Sequence, residues 1–278
     1  MDWWNAIILG IVEGVTEFLP ISSTGHLTIT EKLMGYSVKD PAMTAFTAII
    51  QIGAIVAVIV FFRKDIWQIL SAWFRGILNK GARKDLNYRY GWAIIIGSLP
   101  IVVVGYLLKD HIGETIRSLW VVAFALIGWS AVMWLADKYS RGIKKEKETT
   151  WKDTLVIGMS QCLALIPGVS RSGATISAGL LKGFDRVTVT KISFFLGIPA
   201  LVAAGVLESV TQYKSISSGI GWGPTVLATV IAFFTSYFVI AWLLKFVANH
   251  NFSLFIWYRV GLGVLLIILL SSNIISAV

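Results

Sequence analysis

Residues 13–26 read EGVTEFLPISSTGH, a polar stretch inside a chain that is 56% hydrophobic. This stretch decides the fold because it interrupts an apolar run near its middle. Pro20 has no N–H to donate and its ring clashes with the preceding turn, so a helix entering from residue 5 stops there. Ile21–Gly25 then supplies a turn, and Ser22, Ser23 or Thr24 could cap the next helix. All three cannot cap one helix, so at least one hydroxyl has another task. At ~1.5 Å per residue, neither side of the break in 5–34 supplies the ~20 residues that cross a bilayer. The segment therefore reads as a re-entrant hairpin. Segment 153–182 repeats the pattern, broken by IPGVSRSGAT. Irregular backbone at membrane depth is tolerated only inside protein or beside a wet cavity, so both tips are expected to point inward.

The rest of the chain agrees with a membrane setting. It has 278 residues, 12 of them Trp, only 14% charged residues and a mean hydropathy of +0.76, whereas soluble domains are about one quarter charged. The apolar runs are continuous rather than alternating, which selects helices over barrel strands. Six read as full spans: 42–62, 88–108, 118–137, 186–211, 223–246 and 254–276. Met1-Asp2 offers no basic leader region, so no signal peptide is expected. The single cysteine, Cys162, excludes an internal disulfide and a cysteine metal cluster. Segment 65–79 is amphipathic with two Trp and reads as an interfacial helix.

The net charge of +9 does not point to nucleic acid. Lysine and arginine concentrate in the connections 63–89 and 138–152, which the positive-inside rule makes cytoplasmic. The charge-poor loops 35–41, 109–117 and 212–222 then lie outside, with both termini. Each half of the single membrane domain, 1–138 and 139–278, becomes one hairpin plus three spans, and the halves run in opposite directions. That is an inverted-topology repeat, whose broken elements meet near the midplane. A shift of 148 residues puts Gly10 on Gly158, Glu13 on Gln161, Ser22 on Ser170, Thr24 on Ser172 and Gly25 on Gly173.

The tips carry the chemistry. Glu13 and Glu17, four apart, share a helix face and repel, so a cation, a shared proton or an arginine must compensate them. His26 lies beside the hydroxyl cluster. Arg171, between Ser170 and Ser172, needs an anionic partner, and the helix start at 172–175 adds positive potential suited to phosphate. An ion pair to Glu13 or Glu17 is the alternative for Arg171. Paired carboxylates are hard ligands suited to Mg²⁺ or Ca²⁺. A metal with an arginine is how phosphoryl chemistry neutralises developing charge. Phosphoryl transfer on a lipid phosphate within the membrane is the reading that uses every group.

EGVTE, FLPISSTGH and PGVSRSGAT together resemble the undecaprenyl-pyrophosphate phosphatases, the bacitracin-resistance proteins, along essentially the whole chain. The resemblance implies hydrolysis of C55 undecaprenyl diphosphate to the monophosphate and inorganic phosphate, which recycles the lipid carrier of peptidoglycan synthesis. It implies a divalent cation, a bacterial cytoplasmic membrane and a site opening to the outer face. By motif position, Glu13 and Glu17 bind metal or activate the nucleophile, and Ser23 and His26 are the attacking group and its partner. Ser170 and Arg171 hold the diphosphate, with Ser22, Thr24, Ser172 and Thr175 as further substrate contacts. The implied partners are the substrate and membrane lipid, with no nucleic acid; a homo-oligomer stays open. Gln51 could approach the site or merely pack. Arg259, one turn into the last span, is expected to snorkel to the cytoplasmic surface. A polyprenyl-phosphate flippase or other anion transporter would use the same repeat, but it needs no nucleophile and base.

Overall fold

The computed structural model describes residues 1–37, 40–115 and 118–277. Its helices are α1 Trp3–Thr16, α2 Ser23–Leu33, α3 Pro41–Phe61, α4 Arg63–Leu78, α5 Leu86–Thr115 and α6 Leu119–Tyr139, followed by α7 Trp151–Gln161, α8 Arg171–Leu181, α9 Arg186–Thr211, α10 Tyr213–Ser218, α11 Trp222–Asn249 and α12 Ser253–Ser271. Among the described residues there is no strand, only an isolated bridge between Lys144 and Phe184. Six helices are long and apolar enough to cross a membrane: α3, the Leu86–Leu108 part of α5, α6, α9, α11 and α12. They match the six expected runs, and the protein is a multi-pass membrane protein. Of the expected outer loops, residues 38, 39, 116 and 117 lie outside the described residues.

Local chemistry sets the helix starts. Asp40 accepts from Ala42 N with Pro41 as the first residue of α3, and Ser118 caps α6 through Trp120 N. Thr150 and Asp153 form a reciprocal box at the start of α7. Each such cap satisfies a backbone N–H that the helix itself cannot, typically contributing about 1 kcal/mol. Between the caps, α1–α2 and α7–α8 are helical pairs around a break, each helix of 11 to 14 residues.

The halves interlock. Helix α1 packs on α11 and α7 on α5, while α3 meets α9 and α6 meets α12. Glycine permits the two hairpin contacts. A Cβ at Gly10 would lie 2.6 Å from the Ala228 carbonyl oxygen, and a Cβ at Gly158 would collide with the Gly97 carbonyl. With no hydrophobic drive between helices in lipid, such backbone approach is a main source of cohesion. Many large apolar side chains face outward, as a lipid-solvated bundle requires. Trp67, Leu70, Phe74 and Ile77 form one such exposed face on α4.

The basic connections are tied down by ion pairs. Lys144 pairs with Asp153, Lys145 with Asp185, Arg186 with Asp137, and Lys191 with both Asp65 and Glu146. Asp185 also caps α9 through Thr188 N–H and its hydroxyl. Burial pushes the Asp185 carboxyl up, but the Thr188 bonds and Lys145 outweigh it and hold it below the usual range.

Candidate active site

The two tips are built alike. Helix α1 ends at Thr16, and Glu17 N–H still donates to Glu13 O at 2.9 Å. The chain turns through 18–21, and Ser22, at φ 76°, caps α2 by accepting from Gly25 N at 3.3 Å. In the second tip Ser170, at φ 77°, caps α8 by accepting from Gly173 N at 3.1 Å. A positive φ at a non-glycine residue costs about 1–3 kcal/mol. Each tip bears that cost at the residue whose hydroxyl starts the following helix.

Two side chains fasten the tips together. Ser172 Oγ donates to Leu19 O at 2.9 Å. Arg259 does more. It comes from α12, is fully buried, and donates to Pro20 O at 3.2 Å, Gly168 O at 2.9 Å, Ala125 O at 3.4 Å and Ser130 Oγ at 3.2 Å. The expected snorkelling is therefore wrong. The tip carbonyls have no helical partners, and a planar guanidinium can serve both tips at once.

Fastening the tips brings Glu17 to Arg171. Glu17 Oε2 accepts from Ser23 Oγ at 2.6 Å, and Oε1 accepts from Arg171 Nη2 at 3.3 Å and Nε at 3.4 Å. Arg171 Nη1 donates to Ser193 O at 2.8 Å, and the Ser193 hydroxyl bonds Thr175 at 2.7 Å. Gly197 leaves room for the guanidinium: a Cβ there would lie 2.4 Å from Nη1.

A cavity of about 490 Å³ opens on this group. Glu17, Ser22, Ser23, Thr24, Ser170 and Arg171 line its polar end, with Gln51 from α3 and Gln161 from α7. Its other wall is mostly apolar, from Ile101, Val102 and Tyr106 on α5 and Ala200, Leu201, Ala203, Ala204 and Leu207 on α9, with Glu208 also in the lining. Val102, Tyr106 and Leu207 of that wall are also exposed on the surface of the bundle.

Other expected residues stand off this lining. Ser172 and Thr175 are fully buried, and their hydroxyls serve Leu19 O, Ser170 Oγ, Arg171 O and Ser193 Oγ. His26 does not meet Ser23. Its Nδ1 lies 2.7 Å from Ser22 O and its Nε2 2.7 Å from Tyr258 Oη. A carbonyl can only accept, so Nδ1 carries the proton, and in the neutral ring Nε2 takes the Tyr258 O–H. The Ser23 hydroxyl's partner is Glu17. Tyr258 and Ser193 escaped the sequence reading, and Arg259 was assigned to the surface instead, since each is a polar residue inside an apolar span with no motif around it.

Glu13 is fully buried, and neither carboxylate oxygen has a partner. An orphaned carboxylate one turn from Glu17 fits a hard cation. Among the described residues no three His, Cys, Asp or Glu side chains gather into a full ligand set.

A multi-pass helical protein that meets an apolar groove with a carboxylate, a hydroxyl and a guanidinium is a membrane enzyme built for a lipid-borne anion. The chain belongs to the bacitracin resistance protein BacA family, whose model matches residues 6–265. It is 55% identical to undecaprenyl-diphosphatase 3 of Frankia casuarinae over 277 residues, covering all of both chains. Over 284 residues it is 56% identical to undecaprenyl-diphosphatase of Cutibacterium acnes, again across both chains. The enzyme of the same name from Acidothermus cellulolyticus is 47% identical over 278 residues.

Proposed function

We infer that this cavity hydrolyses undecaprenyl diphosphate to undecaprenyl phosphate and inorganic phosphate, recycling the lipid carrier of peptidoglycan synthesis. The observation that carries the reading is Glu17, held between the Ser23 hydroxyl on its own tip and Arg171 on the other. The diphosphate enters at the polar end, and the prenyl chain lies along the apolar wall of α5 and α9. Arg171 binds phosphate oxygens, its planar fork matching two of them.

Ser23 is the attacking group and Glu17 its base. As the Ser23 Oγ–P bond forms to the terminal phosphorus, the hydroxyl proton passes to Glu17 Oε2, and the bond to the bridging oxygen breaks. Undecaprenyl phosphate leaves, and water then attacks the phosphoserine to release inorganic phosphate. General-base assistance of this kind contributes about 10²–10⁴ in rate. His26, braced by Ser22 and Tyr258, fixes the start of α2. Glu13 and Glu17 would hold a divalent cation, Mg²⁺ or Ca²⁺, which neutralises charge on the diphosphate when bound.

The halves 1–138 and 139–278 are read as an inverted repeat, with the cavity opening to the outer face of the bacterial cytoplasmic membrane. In a Cys162→Ala background, Ser217→Cys should label with an impermeant thiol reagent added outside intact cells, and Lys145→Cys should not. The reaction itself is tested by phosphate release from undecaprenyl diphosphate with purified protein. No release by wild type, or full release by Ser23→Ala, overturns the corresponding part of the reading.

A further inference from the structure

Gln161 ends α7, is fully buried, and lines the cavity beside Glu17, Ser170 and Arg171. Neither its Oε1 nor its Nε2 has a hydrogen-bond partner. Burying a primary amide with both ends unmade typically costs about 1–3 kcal/mol, judged from mutational data. An apolar side chain of the same shape would avoid that cost. An unsatisfied group in such a place calls for a reason. Glu13, at the position 148 residues earlier, is another orphaned polar side chain beside this centre. The two differ in one respect: the carboxylate is charged and only accepts, whereas the amide is neutral and also donates.

We propose that Gln161 is a substrate-contacting residue, its Nε2–H donating to a non-bridging oxygen of the diphosphate; this rests on the phosphatase reading of the cavity. The neighbours favour an anion. Arg171 approaches the polar end from α8, and the Ser170 hydroxyl is already committed to Gly173 N and Ser172 Oγ. A diphosphate presents more oxygens than one guanidinium can satisfy. Gln161 supplies a donor from α7 without adding charge, so it strengthens binding without further neutralising the neighbouring Glu17. A glutamate in its place could only accept and would oppose the phosphate.

The test uses full-length protein in detergent, with farnesyl diphosphate as substrate and inorganic pyrophosphate as competitor. A hydrogen bond to a charged group contributes about 1.5–3 kcal/mol, which corresponds to roughly 10–150-fold in binding. Gln161→Leu should lower kcat/KM for farnesyl diphosphate and raise the pyrophosphate inhibition constant within that range. Its Tm should be equal to wild type or higher, because the unpaired amide is gone. Gln161→Glu should lose more than Gln161→Leu, and Gln161→Met, which keeps the length, should behave like Gln161→Leu if leucine disturbs folding. A residue that only packs would give the opposite pattern: lower Tm with kcat/KM and pyrophosphate inhibition unchanged per folded molecule. That result, or Gln161→Glu matching wild type, overturns the proposal. Wild type failing to release phosphate from farnesyl and undecaprenyl diphosphate alike would instead overturn the phosphatase reading beneath it.

Discussion

Arg259→Met removes the α12 side chain that donates to backbone carbonyls of both tips. Arg259 has no carboxylate partner among the described residues, and two of its acceptors, Pro20 O and Gly168 O, are tip carbonyls. Leaving a buried carbonyl unpaired costs about 1–3 kcal/mol, so the two together cost roughly 2–6 kcal/mol. Ala125 O sits inside α6 and keeps its helical bond, so it adds little. At about 2–4 °C per kcal/mol for a chain of this size, Tm should fall roughly 5–20 °C. The larger effect should be on chemistry. Glu17 and Arg171 come from different tips, and a misplacement of about 1 Å can cost about 10²-fold in rate. Phosphate release per folded molecule, with Tm measured alongside in the same detergent, separates the two effects. Arg259→Lys should retain part of both, since a single ammonium reaches fewer acceptors. The rival argument is that a buried, unpaired guanidinium costs more in desolvation than it returns, so that a well-packed apolar residue does as well. If Arg259→Met keeps Tm within a degree or two and kcat near wild type, the clamp does not exist.

Arg171→Lys keeps the charge but loses the fork, and should cost roughly 10²–10³ in kcat, by analogy with the loss of one transition-state donor; a normal kcat with lowered Tm would make Arg171 a packing residue. Gly197→Ala places a Cβ 2.4 Å from Arg171 Nη1, so the guanidinium must shift; KM should rise several-fold, by about 1 kcal/mol or more of lost binding, with little change in Tm, and an unchanged KM refutes the positioning. Excess EDTA should abolish turnover, restored by Mg²⁺ or Ca²⁺, and Glu13→Gln should abolish the restoration; full activity in EDTA removes the metal role. Because the Asp185 carboxyl is held below its ordinary value, its contribution is present above the unfolded pKa of about 3.9 and is lost as pH falls through the folded one. Asp185→Asn keeps the cap to Thr188 N, so its Tm should fall less steeply than wild type below about pH 4; parallel curves would refute that.

The spans were legible because each is a continuous apolar run; most of the described helices start and stop close to the expected limits, though α5 runs on to Thr115, past the expected 108, and α12 stops at Ser271, short of the expected 276. Trp222–Asn249, for example, overruns the expected 223–246 by a turn at its end, where polar Asn249 and His250 gave no periodic cue. The breaks at Pro20 and Pro167-Gly168 were plain because each proline stands among small polar residues, whereas Pro100 and Pro199, set in apolar runs, lie inside α5 and α9 without ending them. The two motifs also pointed to Glu17, Ser23 and Arg171 as neighbours, and these three share the cavity. Arg259 was misread for a physical reason: one turn into a span, an arginine can reach the surface or the centre, and only the packing of α12 against α6 and both tips decides. The partners of Ser23 and His26 were hidden for a similar reason. Both sit in the first turn of α2, but the ring turns back onto Ser22 O and out to Tyr258, which lies 232 residues away in sequence. Gln161 was visible as the repeat mate of Glu13, yet an isolated glutamine carries no signal of being unsatisfied.

The apolar wall of the cavity has a consequence for how this enzyme measures its substrate. Val102, Tyr106 and Leu207 line the cavity and are also 40%, 66% and 51% exposed, so the groove is an open gutter rather than a sleeve. A chain leaving the diphosphate along it passes into lipid after a short contact. Most of a long tail is then solvated by the bilayer alone, where each buried CH₂ contributes about 0.8 kcal/mol to partitioning and nothing to the protein. Tail length is therefore read as a partition coefficient. Apparent KM values for short and long prenyl diphosphates should diverge when plotted against bulk concentration. They should converge when plotted against mole fraction in the membrane, the two-dimensional concentration that the site meets.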